Sequence, residues 1–322
     1  MKLASFEVGG SPLIGISAGN GEIVDITDIV GSDMIRLIGQ ADHMLPQLRD
    51  VATNMQLERF AEKDVRWRPP VPKPGKICGI AMNNSASNER KISAPDHPAF
   101  FLKPSSCLVG HNEPVVVRRY YGSVHPEPEL AVVIGEKTRD VDAVDAMAGI
   151  FGYSIFNDIT SNGMRGEDLF RYWALYRGED GELERREQHL SYAGRYKGSD
   201  TFGCMGPWLV TADEIADPDN LDVTCTVGGE SVAEDSTRYY NYKVAELVSF
   251  ISQFHTLEAG DVISCGTAFK PSAGRKSIHQ ANFQEVDGPV EVRIEGLGTL
   301  VNPVTREDRS IGSWRLSKQG PP

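Results

Sequence analysis

The sequence predicts an α+β protein that is mainly β, with a small N-terminal α+β module ahead of a larger β-rich domain. Short apolar runs bounded by glycine recur along most of its 322 residues, as expected for strands joined by turns. Only a few stretches show the period of an amphipathic helix. A proline-rich segment, residues 67–75, is typical of an extended linker. We therefore place the module at residues 1–70 and the larger domain at residues 71–322.

The N-terminal module is predicted to be a β-meander followed by helix. Glycine-rich turns at Gly9-Gly10 and at 19–21 separate three short apolar runs within residues 1–30, and such turns are typical of β-hairpins. Within residues 32–62, apolar side chains recur at helical spacing. The module therefore combines a small sheet with a helical segment.

The larger domain is predicted to open with a strand at residues 76–81. An apolar strand then covers residues 127–135, and a short helix is expected over residues 141–147. A second apolar strand, residues 150–156, runs directly into Asp158. Both apolar runs are long enough to cross a core, so each is expected to carry its terminal acidic residues to the edge of that core.

The remainder is predicted as one irregular loop followed by strands around a single helix. A loop as long as residues 161–200 inside a compact domain is typical of a lid or binding loop. The elements expected after it are a hairpin at 222–232, a helix at 244–254, a strand at 262–265 and closing strands at 290–294 and 298–301.

Composition favours a soluble cytoplasmic protein that handles small molecules. A net charge of −12 and a pI near 5.1 argue against binding to nucleic acid or anionic membranes. The five cysteines are scattered and never form a CxxC pair, so neither a disulfide framework nor a zinc cluster is expected. We find no signal sequence and no apolar stretch of about 18 residues.

Two carboxylates stand at the start of the apolar strand 127–135. In a strand, Glu127 and Glu129 lie on one face, roughly 7 Å apart at the backbone, and burying either one is costly unless a cation compensates. Asp158 adds a third carboxylate at the end of the next apolar strand. Such a set suits Mg²⁺, Mn²⁺ or Ca²⁺ better than zinc. The alternatives are solvated glutamates at an exposed strand end and a turn or helix-capping role for Asp158.

Several stretches of the sequence resemble the fumarylacetoacetate hydrolase family. They occur in family order over roughly residues 70–304, and the ordered set, more than any single block, carries the resemblance. The N-terminal module also resembles the small leading domain of bacterial members. The matching blocks are Glu127–Gly135, Gly152-Tyr153 with Asn157-Asp158, Lys197 with Asp200-Thr201-Phe202, Gly206–Val210, Leu257 with Gly260–Ile263, Gly266-Thr267 and Gly296–Asn302.

This resemblance implies a mixed β-roll built around one divalent ion, Mg²⁺ or Mn²⁺ with Ca²⁺ as a third choice. Glu127, Glu129 and Asp158 match the family's metal ligands. Lys197 matches a lysine that faces the substrate's oxyanion or carboxylate, and Thr267 matches a residue that holds the substrate carboxylate. Family substrates are oxo acids, often 2,4-dioxo acids or their enols. Because family members are commonly homodimers, a homodimer is also expected.

The sequence departs from the family at the residues that activate water. Hydrolytic members usually carry Gly-x-Asn-Tyr-x-x-His-x-x-Glu after the first strand of the larger domain. Here Ser85 falls where the histidine is expected, and Asn88 falls on the glutamate, with Glu89 one place further on. Serine is not a base near neutral pH without an activator of its own. Ser85 is left as a substrate contact and Glu89 as the catalytic candidate.

The histidines offer no obvious replacement for this missing dyad. His125 lies two residues before Glu127 and is a candidate contact to the metal ligands or the substrate. His97 lies in a loop near the missing dyad, where a solvated side chain is the alternative. The surroundings of His279 in the sequence give no indication of a role.

We therefore expect a metal-dependent hydrolase that cleaves a C–C bond in a 2,4-dioxo acid or related oxo acid. Lys197 and Glu89 are the catalytic candidates. The first alternative is an oxo-acid decarboxylase, dehydratase or keto–enol isomerase, because these reactions need only an enolate stabilised at the metal. A catalytically silent relative that binds an oxo acid is the second alternative.

Overall fold

A computed structural model describes residues 1–53, 56–85, 92, 94–267 and 278–311. Strands dominate this part of the chain. They are β1 Lys2–Val8, β2 Ser11–Ser17, β3 Glu22–Asp25, β4 Arg59–Ala61, β5 Arg66–Trp67, β6 Ile77–Ala81, β7 Ala99–Lys103, β8 Leu108–Val109, β9 Val115–Arg118, β10 Val124–His125, β11 Pro128–Ile134, β12 Ile150–Asp158, β13 Thr160–Ser161, β14 Leu169–Arg177, β15 Leu183–Ser191, β16 Gly203–Thr211, β17 Asp222–Val227, β18 Glu230–Ser236, β19 Val262–Thr267, β20 Val290–Ile294, β21 Gly298–Asn302 and β22 Val304–Glu307. The helices are α1 Thr27–Val30, α2 Met34–Gly39, α3 Ala41–Leu48, α4 Asn162–Glu167 and α5 Val244–Phe254.

A mixed sheet of twelve strands forms the centre of the molecule. Its main path is β4-β3-β2-β1-β16-β12-β11-β19-β6-β7, with β5 paired to β1 and β8 paired to β16. Most neighbours are antiparallel, whereas β19 runs parallel to β6 and β8 runs parallel to β16. Every residue of β11, β12 and β16 is buried, which explains their nearly continuous apolar sequences. The predicted α+β, mainly β fold class with a mixed sheet is confirmed.

The first 70 residues contribute strands to this same sheet. β1 pairs with β16, with Lys2 opposite Val210 and Leu3 opposite Leu209. The predicted meander corresponds to β1, β2 and β3. Helices α2 and α3 fall inside the predicted helical segment 32–62, but its end forms the short strand β4. The division of the chain at residues 70 and 71 stays a prediction.

A second sheet and one helix complete the core. Four strands pair in the order β18-β17-β20-β21, and β20 and β21 lie against β12 and β16 of the central sheet. Helix α5 has the bounds predicted from its period, and it buries Val244, Leu247, Val248 and Ile251. The predicted hairpin at residues 222–232 corresponds to β17 and β18.

The expected irregular loop at residues 161–200 is instead α4 followed by a long hairpin, β14–β15. The two strands pair over nine residues each, from Leu169 opposite Ser191 to Arg177 opposite Leu183. Nearly every side chain of this hairpin is exposed on both faces. The alternation of apolar and polar residues that marks a half-buried strand is therefore missing. For this reason the sequence predicts a loop here.

The helix expected over residues 141–147 is wrong. Only a 3₁₀ turn at Ala146–Gly149 forms in this region. Val144, which would lie on the apolar face of such a helix, is 85% exposed. A short helix without a partner for its apolar face is marginal in water, so the segment forms turns.

Two expectations from composition concern cysteines and membranes. The five cysteines are all buried and free, in line with the absence of a disulfide framework. Within the described ranges, no helix is long and apolar enough to cross a bilayer.

Candidate metal centre

Two neighbouring strands bring the three predicted acids together. β11 and β12 are antiparallel, with Glu129 opposite Phe156, and the amide of Asp158 donates to the carbonyl of Glu127 over 2.9 Å. One carboxylate oxygen from each acid lies within 4.8 Å of the other two. Glu129 and Asp158 are buried and Glu127 is half-buried. Antiparallel pairing thus turns two distant sequence positions into one cluster.

The third strand, β19, fixes Glu129. The Ser264 hydroxyl donates to Glu129 Oε2 over 2.5 Å and the Gly266 amide over 3.0 Å, while the Thr267 hydroxyl lies 3.3 Å from Oε1. Gly266 adopts φ +91°, and a Cβ there would lie 2.8 Å from the Asn83 Cβ. Only glycine accepts both that conformation and that contact. The Gly-Thr pair therefore positions a carboxylate.

Two lysines compensate part of this negative charge. Lys197 Nζ lies 2.7 Å from Glu127 Oε2 and 2.5 Å from Asp158 Oδ2. Lys103 Nζ lies 2.5 Å from Asp158 Oδ1 and also donates to the carbonyls of Lys197 and Phe202. Both lysines are buried. A buried ammonium requires such partners, so Lys103 belongs to the centre although it contacts only one of the acids.

Three carboxylates and two ammonium groups leave the cluster one positive charge short. Burial and the Asp158 carboxylate raise the pKa of Glu129 to about 8. Burial acts in the same direction on Glu127, but Lys197 and His125 outweigh it and hold the pKa of that carboxyl well below its usual range. Oxygen donors without sulfur suit hard divalent cations. The residues present therefore fit Mg²⁺, Mn²⁺ or Ca²⁺.

Two histidines and an amide extend the cluster from Glu127. The fully buried His125 has its Nε2 3.3 Å from Glu127 Oε1 and 3.2 Å from the Nδ1 of His279. Its Nδ1 lies 3.4 Å from the side-chain nitrogen of Asn162 on α4. His125 therefore contacts a candidate metal ligand, as its spacing suggested, and it links that ligand to His279 and to α4.

A cavity of about 530 Å³ opens onto this cluster, a size typical of small-molecule sites. It is lined at one end by Glu127, Lys197 and Thr267, and its wall includes Asn84, Arg165 and His279. Burial opposes the charge of Lys197, but the neighbouring acids raise the pKa of its ammonium well above the usual value. The cavity thus offers a fixed cation, a hydroxyl and a candidate metal site to an anionic ligand.

Ser85 and Glu89 are the two predicted site residues that remain. Ser85 is exposed, and its neighbour Asn84 is the one that lines the cavity. Asn84 donates to the carbonyl of Thr267 over 2.7 Å, which ties this loop to the end of β19. Glu89 and Asn88 lie outside the described residues. The roles assigned to Ser85 and Glu89 therefore stay predictions from the sequence.

Sequence reasoning missed Lys103, Arg165 and His279. Lys103 ends an apolar strand just before a proline, where a lysine resembles an ordinary exposed strand end. Arg165 lies in a charged stretch without periodicity. His279 reaches the cavity only through tertiary folding. A lysine directly after three apolar strand residues is the only local signal among these, because strand interiors rarely carry one.

The larger domain matches a known protein family along most of its length. Residues 76–305 match the family described as fumarylacetoacetate (FAA) hydrolase C-terminal. The chain belongs to the fumarylacetoacetate hydrolase family. The predicted family is thereby confirmed, and the match covers the three acids, Lys197 and Thr267.

Relatives in this family catalyse different reactions. The chain is 30% identical to bovine mitochondrial oxaloacetate tautomerase FAHD2A over 311 residues, which is 94% of this chain and 91% of the relative. It is also 30% identical to 2,4-didehydro-3-deoxy-L-rhamnonate hydrolase of a Sphingomonas species over 316 residues, 98% of this chain and 97% of the relative. Both family relatives are enzymes acting on small oxo acids.

The fold also matches solved structures of the fumarylacetoacetate hydrolase family. Maleylpyruvate hydrolase from Sphingobium sp. SYK-6, in complex with manganese(II) and pyruvate, superposes with a TM-score of 0.73 at 28% identity, covering 95% of this chain and 99% of that one. A fumarylacetoacetate hydrolase from Exiguobacterium antarcticum also gives 0.73, at 27% identity, with 95% and 100% coverage. The acidic cluster and the manganese of the first neighbour together support a divalent metal here.

Proposed function

We propose that this chain is a divalent metal-dependent hydrolase that cleaves a C–C bond in a 2,4-dioxo acid or related oxo acid. One observation carries the proposal: three carboxylates cluster at the end of a cavity that one of them, Glu127, lines together with a buried ammonium and a threonine. Its size suits a small acid, and its fixed positive groups suit an anion. The similarity to hydrolases acting on such acids supports the same reaction class.

In this proposal Glu127, Glu129 and Asp158 hold the ion, Mg²⁺ or Mn²⁺. When bound, that ion supplies Lewis acidity toward the oxygens of the oxo acid. Lys197 places its ammonium beside the same oxygens and stabilises negative charge that develops there. Lys103 holds the Asp158 carboxylate in place through their ion pair. Thr267, whose hydroxyl lies 3.3 Å from Glu129 Oε1, turns that hydroxyl to the substrate carboxylate when the substrate binds.

Hydrolysis also requires a group that takes a proton from water, and we assign this role to His279. Its ring lies at the cavity wall and contacts His125, which contacts Glu127 in turn. Water then adds to the distal carbonyl, the C–C bond breaks, and the electron pair remains on the oxo acid as an enolate. Reprotonation of the enolate carbon completes the reaction, giving an oxo acid and a carboxylic acid. Glu89 stays a candidate from the sequence alone.

Keto–enol isomerisation is the second candidate function, alongside decarboxylation and dehydration. The observation that favours it is the serine at position 85, where hydrolytic members of the family carry histidine. These reactions need a stabilised enolate but no activated water. The similarity to oxaloacetate tautomerase points the same way.

A substrate panel tests these functions. Purified protein is assayed for bound metal and then, with Mg²⁺ or Mn²⁺, for turnover of 2,4-dioxo acids and oxo diacids. Formation of two acids supports the hydrolase, whereas interconversion of enol and keto forms without cleavage supports the isomerase. Protein that binds no divalent ion and turns over nothing is the silent relative. If Ser85→His creates cleavage that the parent lacks, the parent is no hydrolase.

We further propose that two copies assemble through the β14–β15 hairpin. A two-stranded ribbon is marginal in water by itself, yet this one exposes large apolar side chains on both faces. Such a surface is typical of a protein contact. Its exposed apolar residues are Leu169, Phe170, Tyr172, Trp173, Leu175, Tyr176, Leu183 and Leu190.

A further inference from the structure

An arginine on the cavity wall, Arg165, has no role in the proposed hydrolysis. Arg165 lies on α4 and lines the same cavity as Glu127, Lys197 and Thr267. The helix that carries it is well anchored. The Ser161 hydroxyl accepts from the Met164 amide over 3.0 Å and donates to a backbone carbonyl over 2.6 Å. The Arg165 guanidinium is therefore displayed from a fixed support.

The acids closest to Arg165 in sequence are occupied by another arginine. Arg195 lies 2.7 Å from Asp168 and 3.1 Å from Glu167. Within the described ranges no carboxylate pairs with Arg165. The Arg165 guanidinium can therefore pair with an anion that enters the cavity.

The groove around Arg165 contains hydrogen-bonding groups but no acid. A neighbouring depression shares Arg165 and His279 with the cavity and adds Asn162, and Ser191 lines both. Among the described residues, Glu127 is the only acidic side chain that lines either space. An anion that reaches this groove meets donors and no repelling charge.

Charge balance indicates how many carboxylates the site accommodates. When all three acids are ionised, they and the two lysines Lys103 and Lys197 carry one net negative charge, and a divalent cation converts this to one net positive charge. That excess matches the carboxylate of a monoacid. Arg165 adds a second positive charge along the cavity, and a planar guanidinium suits a second carboxylate by paired hydrogen bonds.

We propose that Arg165 binds the distal carboxylate of the substrate, so that the enzyme prefers an oxo diacid to the corresponding monoacid. Asn162, on the same helix, completes this second anion subsite. This proposal rests on the proposed function for the reaction at Glu127, Lys197 and Thr267. It adds the class of substrate, because those residues alone do not distinguish a diacid from a monoacid.

A matched pair of substrates tests the subsite. Succinylpyruvate and butyrylpyruvate share one 2,4-dioxo acid backbone and differ only in a terminal carboxylate or methyl group. We expect kcat/KM to favour the diacid by about 10- to 100-fold, the range for one charge-assisted interaction. Arg165→Ala removes this preference by raising KM for the diacid, while the monoacid is unaffected. Arg165→Lys retains part of the preference.

Arg139→Ala is the matched control, because Arg139 is an exposed arginine that pairs with Asp140 and does not line the cavity. It leaves the preference unchanged. An equal loss on both substrates in Arg165→Ala, or no loss on either, overturns the proposal.

A binding measurement separates this proposal from the proposed function. Calorimetry with Mg²⁺ compares 2-oxoheptanedioate with 2-oxoheptanoate, which have the seven-carbon chain of the two dioxo acids but lack the 4-oxo group and are therefore not cleaved by this reaction. If wild type cleaves no dioxo acid but binds 2-oxoheptanedioate more tightly in a manner that needs Arg165, the hydrolase fails and the subsite stands. If cleavage occurs and neither assay shows a diacid preference, the subsite fails alone.

Discussion

The two ends of the cavity are built in different ways. The closed end is held by three adjacent strands of the central sheet, and its side chains are mostly buried and hydrogen-bonded to one another. The open end is carried by a six-residue helix and the roots of an exposed hairpin, and Arg165 and His279 there are exposed. Metal binding and the choice of substrate therefore reside on separate supports. Substitution of a metal ligand at the closed end should affect every substrate, whereas substitution of Arg165 at the open end should discriminate between substrates.

The largest expected effect is the loss of metal at the closed end. Glu129→Ala removes a ligand that three donors of β19 hold in place, so we expect at least a 1,000-fold, ~3-log, fall in kcat/KM together with loss of bound metal. Metal analysis and kinetics on the same sample check this. Glu230→Gln, an exposed acid on the second sheet, is the control. Full activity and metal content in Glu129→Ala would remove the metal hypothesis.

Next in size is a stability effect at Lys103. Lys103→Met leaves Asp158 buried without that partner, and breaking a buried ion pair typically costs about 3–5 kcal/mol of unfolding free energy. Saturating Mg²⁺ should recover part of the loss, because the cation compensates the same carboxylate. Urea unfolding with and without Mg²⁺ measures both quantities.

Lys137→Met, at a largely exposed lysine, provides the comparison for the change of side chain. An unfolding free energy of Lys103→Met equal to that of wild type would mean that the closed end does not depend on this lysine.

The third effect concerns proton transfer at the open end. His279→Gln should lower kcat by about 100-fold with KM nearly unchanged, the usual size for a lost general base. The fall of kcat at acid pH, which reflects protonation of the imidazole, should disappear as well. His43→Gln, an exposed histidine on α3, controls for the substitution. A pH–rate profile of His279→Gln that retains its acid limb would exclude His279 as the base.

The smallest effect is expected for assembly. Wild type should have twice the 35.3 kDa mass of one chain in light scattering, and Trp173→Ser should weaken the dimer by about tenfold or more, as is common for a buried interface tryptophan. Val144→Ser, also at an exposed apolar residue, should leave the dimer intact. A wild-type protein that is monomeric at all concentrations would contradict the proposed role of the hairpin.

The closed end could largely be predicted from the sequence. An acid at the mouth of an apolar strand is a local pattern, and Glu127, Glu129 and Asp158 required only that two strands be neighbours. Helix α5 was equally readable, because one face packs against the core along its whole length. In both cases burial leaves a local pattern in the sequence, which is a continuous apolar run in the strands and a helical period in α5.

The open end could not be predicted in the same way. The β14–β15 hairpin has no buried face, so nothing imposes a period on it. His279 meets His125 only because chain segments more than 150 residues apart come together. Lys103 is buried among partners that are distant in sequence, namely Asp158 and the carbonyls of Lys197 and Phe202. Sites assembled by tertiary contacts between polar residues leave little trace in local patterns.

The short helix α4 has a consequence for how this protein can change over time. Met164 is buried and anchors the helix, while the next residue, Arg165, projects to the cavity without supporting the core. A single codon change there exchanges the charge offered to the substrate's far end and leaves the strands untouched. The range of substrates can therefore change in small steps during evolution, while the fold and the three acids of the candidate metal site stay the same.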